Sequence, residues 1–92
     1  MRILEIIEIR SHAAGREQLR RELIQFAKEI NGAAGDESVR VYARTRVQSD
    51  FSVHIERTAG RTADEGSQSG LQLMLALREY GLVNRSVWFE DV

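Results

Sequence analysis

The chain contains no cysteine and no proline. Without cysteine there can be no disulfide, no thiolate nucleophile and no thiolate metal ligand, a composition that fits a reducing compartment. Charge of one sign is not in excess either. Thirteen Lys and Arg stand against fourteen Asp and Glu, for a formal net charge of −1. That balance leaves no overall electrostatic footprint for nucleic acid or an anionic membrane. Membrane-length apolar runs are missing as well. The N-terminal apolar stretch, Ile3 to Ile9, is interrupted by Glu5 and Glu8. It falls far short of the roughly 20 residues of a membrane span and does not read as a signal peptide. Cytoplasmic location, with no membrane or nucleic-acid partner, is the expectation. Of the two histidines, only His54 has an acidic neighbour at period two, Glu56. No third ligand accompanies that pair, so no metal site is expected, and no cofactor.

What is present suits one folded domain spanning 1–92. Of the 92 residues, 42% are hydrophobic and 29% charged, a mixture that folds rather than staying disordered. Arg2 to Arg10 is rich in isoleucine, and its β-branched content predicts a strand. Both of its faces are mostly apolar, as in a central strand. Glu5 falls on one face and Glu8 on the other, and alternation alone does not say which is inside. From Ala14 or Gly15 to Ile30 the spacing of Leu19, Leu23, Phe26, Ala27 and Ile30 predicts an amphipathic helix.

Ser38 to Arg46 alternates strictly, with Val39, Val41, Ala43 and Thr45 against Arg40, Tyr42, Arg44 and Arg46. After a short Gln48-Ser49-Asp50 connection, Phe51 to Arg57 alternates again, which predicts an antiparallel pair. Thr58 to Gly66 reads as a flexible loop. A second helix follows, with Ser67 or Ser69 as its N-cap. Gly81 is expected in the left-handed position that closes the helix, with Leu82 folding back onto Leu77. Asn84-Arg85 then turns the chain into a last strand, Ser86 to Glu90. Val87 and Phe89 occupy one face of it, Trp88 and Glu90 the other.

The order β-α-β-β-α-β is the ferredoxin-like α+β plan, a four-stranded antiparallel sheet with two helices on one face. The first and third strands should be central. The face away from the helices would carry Arg40, Tyr42, Arg44, Ser52, His54, Glu56, Trp88, Glu90 and either Glu5 or Glu8. A solvated face seldom needs a tryptophan, and a dry core does not hold so many charges unpaired. The pattern fits a semi-enclosed polar cavity closed by a second copy of the sheet, and the second helix carries spare apolar surface.

The element order, the Gly35 turn and the run Glu65-Gly66-Ser67 … Leu77 … Tyr80-Gly81-Leu82-Val83 … Val87-Trp88 resemble the dimeric α+β barrel superfamily. That group includes the antibiotic-biosynthesis monooxygenases and the stress-responsive barrel proteins. The resemblance covers nearly the whole chain, through motifs that are structural rather than chemical. It implies a homodimer whose two sheets face one another to form a barrel, with a ligand cavity in each protomer. Some members oxidise phenolic polyketides without a cofactor. Others degrade haem with a histidine on a helix, together with Asn and Trp; the second helix here has no histidine, so haem degradation is not supported.

His54 is the candidate general base, because imidazole exchanges its proton near neutral pH. Equally, it can be a structural imidazole in a hydrogen-bond network at the dimer interface. Tyr42, Arg44, Glu56 and Trp88 are the candidate cavity lining. Arg40, Arg44 and Arg46 could clamp a carboxylate or phosphate, or pair with Glu56, Glu90 and either Glu5 or Glu8 across the barrel. The first strand has no aromatic and Phe51 faces the helices, which argues against RNA binding on the sheet. The functional expectation is a homodimer that binds a small organic ligand. One alternative is a cofactor-independent monooxygenase-like enzyme acting on an aromatic substrate. Another is an ACT-like regulatory domain, which shares the element order but binds amino acids at domain interfaces.

Overall fold

The computed structural model describes residues 2–58 and 66–91. The elements are β1 (Arg2–Ser11), a single 3-10 turn (Ala13–Gly15), α1 (Arg16–Gly32), β2 (Ser38–Ala43), β3 (Asp50–Thr58), α2 (Gln68–Leu77) and β4 (Gly81–Phe89). The strands form one antiparallel sheet in the order β2-β3-β1-β4, so β1 and β3 are the central strands, as their apolar content predicts. The loop expected over 58–66 lies, for residues 59–65, outside the described residues.

Parity along each strand decides what is inside. Ile7 and Ile9 of β1, Val39 of β2 and Phe51, Val53 and Ile55 of β3 share one sheet face and meet Leu19 and Leu23 of α1 and Leu73 and Leu77 of α2. Burying each such side chain contributes roughly 1.5–3 kcal/mol before chain entropy is charged against it. The same parity sends Glu5 inward and Glu8 outward. Glu5 is fully buried in an otherwise apolar row.

Hydrogen-bond donors meet that carboxylate on both oxygens. Ser67 donates both its backbone N–H (2.9 Å) and its hydroxyl (2.7 Å) to Glu5 Oε1. Arg85 Nε donates to Oε2 at 2.6 Å and Nη2 reaches the Ser67 carbonyl at 3.3 Å. Ser67 is also the N-cap of α2, its hydroxyl accepting from the Gly70 N–H at 2.9 Å. Glu5 therefore sits at the positive end of the helix dipole. The neighbouring glycines make room for it. A Cβ on Gly70 would strike the Glu5 carboxylate, and one on Gly66, which has φ +80°, would strike the Arg85 guanidinium. The Ser67 cap agrees with the sequence; the reason for two glycines beside it becomes visible only with Glu5 in place.

Three expectations are corrected. The helix does not close on a left-handed Gly81. It ends at Leu77, Arg78 keeps helical backbone angles, and Tyr80 N–H bonds the Leu77 carbonyl at 2.9 Å. Gly81 is the first residue of β4, and Leu82 is 76% exposed, turned away from Leu77. Second, Asn84-Arg85 is not a turn: both lie within β4, opposite Glu8 and Ile7 of β1. Third, β2 stops at Ala43, where the chain turns at once; Arg44 N–H bonds the Asp50 carbonyl at 3.0 Å and Arg46 adopts φ 66°. Arg44 and Arg46 thus leave the strand, and the triple-arginine face with Arg40 does not form.

The edge strand β2 is blunted by the end of α1. The Asn31 amide donates to the Val39 carbonyl (3.0 Å) and accepts its N–H (2.8 Å), acting as one more rung of the ladder. Such satisfaction protects an edge from unwanted pairing. On the helix side, Tyr80 donates its hydroxyl to Glu22 at 2.7 Å. That bond, then partial burial and the charges of Glu22 and Glu79, push the Tyr80 phenol from 10.0 up to about 12. A raised folded-state value means stability that is complete below pH ~10 and is lost as pH climbs towards 12. Spectrophotometric titration should therefore show tyrosine ionisation extending to about pH 12. Tyr80→Phe should abolish that late step and flatten the alkaline loss of stability; a late step surviving in the variant would refute the assignment.

Candidate functional site

The sheet face away from the helices is laid out in rows by the strand registers. Asp50, Arg10 and Leu82 form the first row, and Tyr42, Ser52, Glu8 and Asn84 the second. Arg40, His54, Ile6 and Ser86 form the third, and Ser38, Glu56, Leu4 and Trp88 the fourth. Among the described residues, no helix covers this face. Tyr42, Leu82 and Trp88 are 45%, 76% and 59% exposed, so large apolar side chains stand in water on a face that also carries charge.

The first two rows enclose a hollow of about 620 Å³. Its floor is the sheet at Ile9, Phe51 and Val83, whose side chains pack on the helix side, and its rim is polar: Glu8, Arg10, Tyr42, Arg44, Ser52 and Asn84. Asp50 ties the rim together. Its carboxylate accepts from Arg44 Nη1 (3.1 Å) and the Ser49 hydroxyl (3.1 Å), with Arg10 Nε at 3.5 Å. Burial by itself would raise the Asp50 pKa, but the Ser49 and Arg44 hydrogen bonds and the charges of Arg10 and Arg44 outweigh it, holding the carboxyl below the ordinary aspartate value. The turn that presents Asp50 is itself anchored, since Arg16 donates to the Gln48 carbonyl at 2.6 Å and its guanidinium lies over the Phe51 ring.

The expected lining residues do not all converge. Tyr42 and Arg44 line the main hollow. Glu56 and Trp88 line a second recess of about 260 Å³ at the opposite end of the sheet, with Arg2, Leu4 and Glu90. There Glu56 accepts from Arg2 at 2.7 Å, and Trp88 Nε1 donates to Ser86 Oγ at 2.8 Å. His54 stands between the two and lines neither. Its Nε2 lies 3.0 Å from Ser52 Oγ, and its ring rests against Tyr42 with centroids 4.7 Å apart. The charge pairing also differs from the sequence expectation. Glu56 and Glu90 pair with Arg2, and Arg44 pairs with Asp50, while Arg40 takes none of those roles. Arg10, Asp50 and Asn84 join the site without having been singled out by periodicity, and Glu8 is the one of the two candidate glutamates that reaches it. Their positions follow from the β1 parity and from β4 beginning at Gly81.

Among the described residues, no three His, Cys, Asp or Glu side chains cluster as metal ligands. No helix among them is long and apolar enough to cross a membrane.

No protein-family model matches the chain, and no curated protein matches its sequence. Solved structures do match in shape, and they show the fold: a ferredoxin-like α+β fold, shared with several proteins proposed to be antibiotic biosynthesis monooxygenases. Rv0793 from Mycobacterium tuberculosis superposes with a TM-score of 0.77 at 15% identity, covering 100% of this chain and 97% of that one. A Deinococcus radiodurans protein, itself a proposed antibiotic biosynthesis monooxygenase, superposes at 0.72 with 14% identity, covering 98% of this chain and 93% of that one. A conserved protein from Methanosarcina mazei Go1 gives 0.77 at 10% identity, over 99% and 94%. At such identities the likeness shows the fold alone.

Proposed function

We propose that the protein, taken as a single domain over 1–92, binds a small organic ligand in the open-face hollow and works as a homodimer in which a second sheet covers that face. The observation that carries this reading is the hollow itself. Its volume of about 620 Å³ falls in the range of small-molecule sites, roughly 300–1,000 Å³. Its rim offers donors and acceptors of both charges beside the apolar surface of Tyr42 and Leu82, a lining that can orient a planar, partly polar molecule. Exposed Tyr42, Leu82 and Trp88 supply apolar surface for a second copy to cover. Sedimentation at micromolar concentration should give a dimer. Titration with a panel of phenols and aromatic acids should shift the backbone amide signals of Tyr42, Ser52 and Asn84 together. A monomer at every concentration, or shifts scattered away from the hollow, would overturn the reading.

A second reading is an enzyme that oxidises a phenolic substrate with dioxygen, using His54 as base. The contact of His54 with Tyr42 and Ser52, both of which line the hollow, favours it, as does the likeness to the Deinococcus protein. Dioxygen uptake with a phenolic substrate, lost in His54→Ala, would support it; uptake unchanged by that substitution would sink it.

A further inference from the structure

We propose that Ser52 is the positioning residue that joins His54 to the hollow: its hydroxyl donates to His54 Nε2 and so fixes the imidazole as the Nδ1–H tautomer, with Ser52 Oγ as the atom a ligand meets. The inference rests on the reading of His54 as the base and gives that reading a route. His54 does not line the hollow, whereas Ser52 does, and the two are joined at 3.0 Å. They lie two residues apart on one strand, so both side chains leave the same sheet face. Among the described residues Ser52 has no other side-chain partner. Glu8, directly opposite it on β1, takes no bond from it. Its single hydroxyl proton is therefore available to the imidazole, and its lone pairs are left for the hollow. Tyr42 lies against the imidazole on the hollow side.

The chemistry this permits is a coupled transfer of two protons. An acidic O–H in the hollow gives its proton to Ser52 Oγ as the Ser52 proton moves to His54 Nε2. The ligand is left as an oxyanion and the histidine as imidazolium, with no net change in charge. The ligand class is a weakly acidic hydroxyl compound, a phenol or an enol. Arg44 and Arg10, which share one carboxylate, Asp50, stand on the same rim to stabilise the oxyanion.

Two measurements test this. The first needs no ligand: imidazole nitrogen chemical shifts report the tautomer directly. Wild type and Ser52→Thr should show the Nδ1–H form, and Ser52→Ala should move to Nε2–H. An unchanged tautomer in Ser52→Ala overturns the proposal. The second uses para-nitrophenol, whose anion is coloured. Wild type and Ser52→Thr should raise the bound anion fraction, whereas Ser52→Ala should bind the phenol and lose at least tenfold of that ionisation. Full ionisation on Ser52→Ala would show that His54 reaches the ligand directly and would overturn the relay. If wild type binds no para-nitrophenol while the tautomer still follows Ser52, the ligand reading of the hollow falls, and the relay with it, and the Ser52–His54 positioning bond stands alone.

Discussion

Glu5→Ala is expected to cost about 3–5 kcal/mol, the range for removing one partner of a buried ion pair. Urea unfolding followed by circular dichroism would measure it. The size follows from what the carboxylate leaves behind. Arg85, whose side chain is 16% exposed, would keep its charge close to the core without the partner at 2.6 Å. The Ser67 N–H and hydroxyl would both lose their acceptor, and an unsatisfied buried donor costs about 1–3 kcal/mol. The space vacated beside Gly70 and Gly66 would then open a void at the start of α2. Glu5→Gln keeps the volume and one acceptor but turns an N–H₂ towards one of the donors, so it should fall between alanine and wild type. A loss below about 1 kcal/mol for Glu5→Ala would mean that Arg85 finds another route to solvent and that the network is dispensable.

The same network predicts non-additivity. Ser67→Ala alone removes a helix cap, typically about 1 kcal/mol, together with one of the donors to Glu5. Combined with Glu5→Ala it should cost less than the two singles summed, because the residues share partners within one hydrogen-bonded cluster. The coupling joins the first strand to the start of the second helix, 62 residues apart in sequence.

How far these features can be read from sequence differs residue by residue. The element order, the central place of β1 and β3 and the Ser67 cap are written in local patterns: isoleucine-rich alternation, helical spacing, a serine ahead of an apolar run. Glu5 and Glu8 are three apart in one strand, so they must lie on opposite faces, but alternation is silent about which face is covered. That choice depends on the partner strands and on two glycines more than 60 residues away. The site is less legible for a related reason. Tyr42 and Arg44 both border the hollow, Arg44 through a turn rather than through the strand alternation that suggested it. Trp88 and Glu56 lie on the expected face but at the far end, because distance along a strand is about 3.3 Å per residue and parity does not measure it. Asn84 was hidden by its neighbours. Asn-Arg between apolar stretches has the composition of a turn, yet Arg85 is drawn inward by Glu5, which keeps the strand extended.

Gly81 supplies the other large effect, and it separates two physical explanations of one residue. At a left-handed helix end, alanine would cost about 1 kcal/mol and asparagine would be tolerated. The structure places Gly81 opposite Ser11 as the first residue of β4, where a Cβ would run into the Arg10 carbonyl oxygen and crowd Ser11 Cα at 3.0 Å. Both obstacles are backbone or directly bonded to it, in a central strand that is itself paired on its other side with β3, so neither can swing aside. Gly81→Ala should therefore cost about 3 kcal/mol, the upper end of the usual range for overpacking, and Gly81→Asn at least as much. Gly32, with open space around its missing Cβ, is the matched control. Alanine there should be neutral or stabilising by up to ~1 kcal/mol, since it lies in the last turn of α1 and lowers the entropy of the unfolded chain. If asparagine at position 81 proves milder than alanine, the close approach of β4 to β1 is not what requires the glycine. If both are severe while Gly32→Ala is not, the requirement is steric, and β4 depends on that contact to start its pairing early enough for Leu82 and Asn84 to reach the hollow.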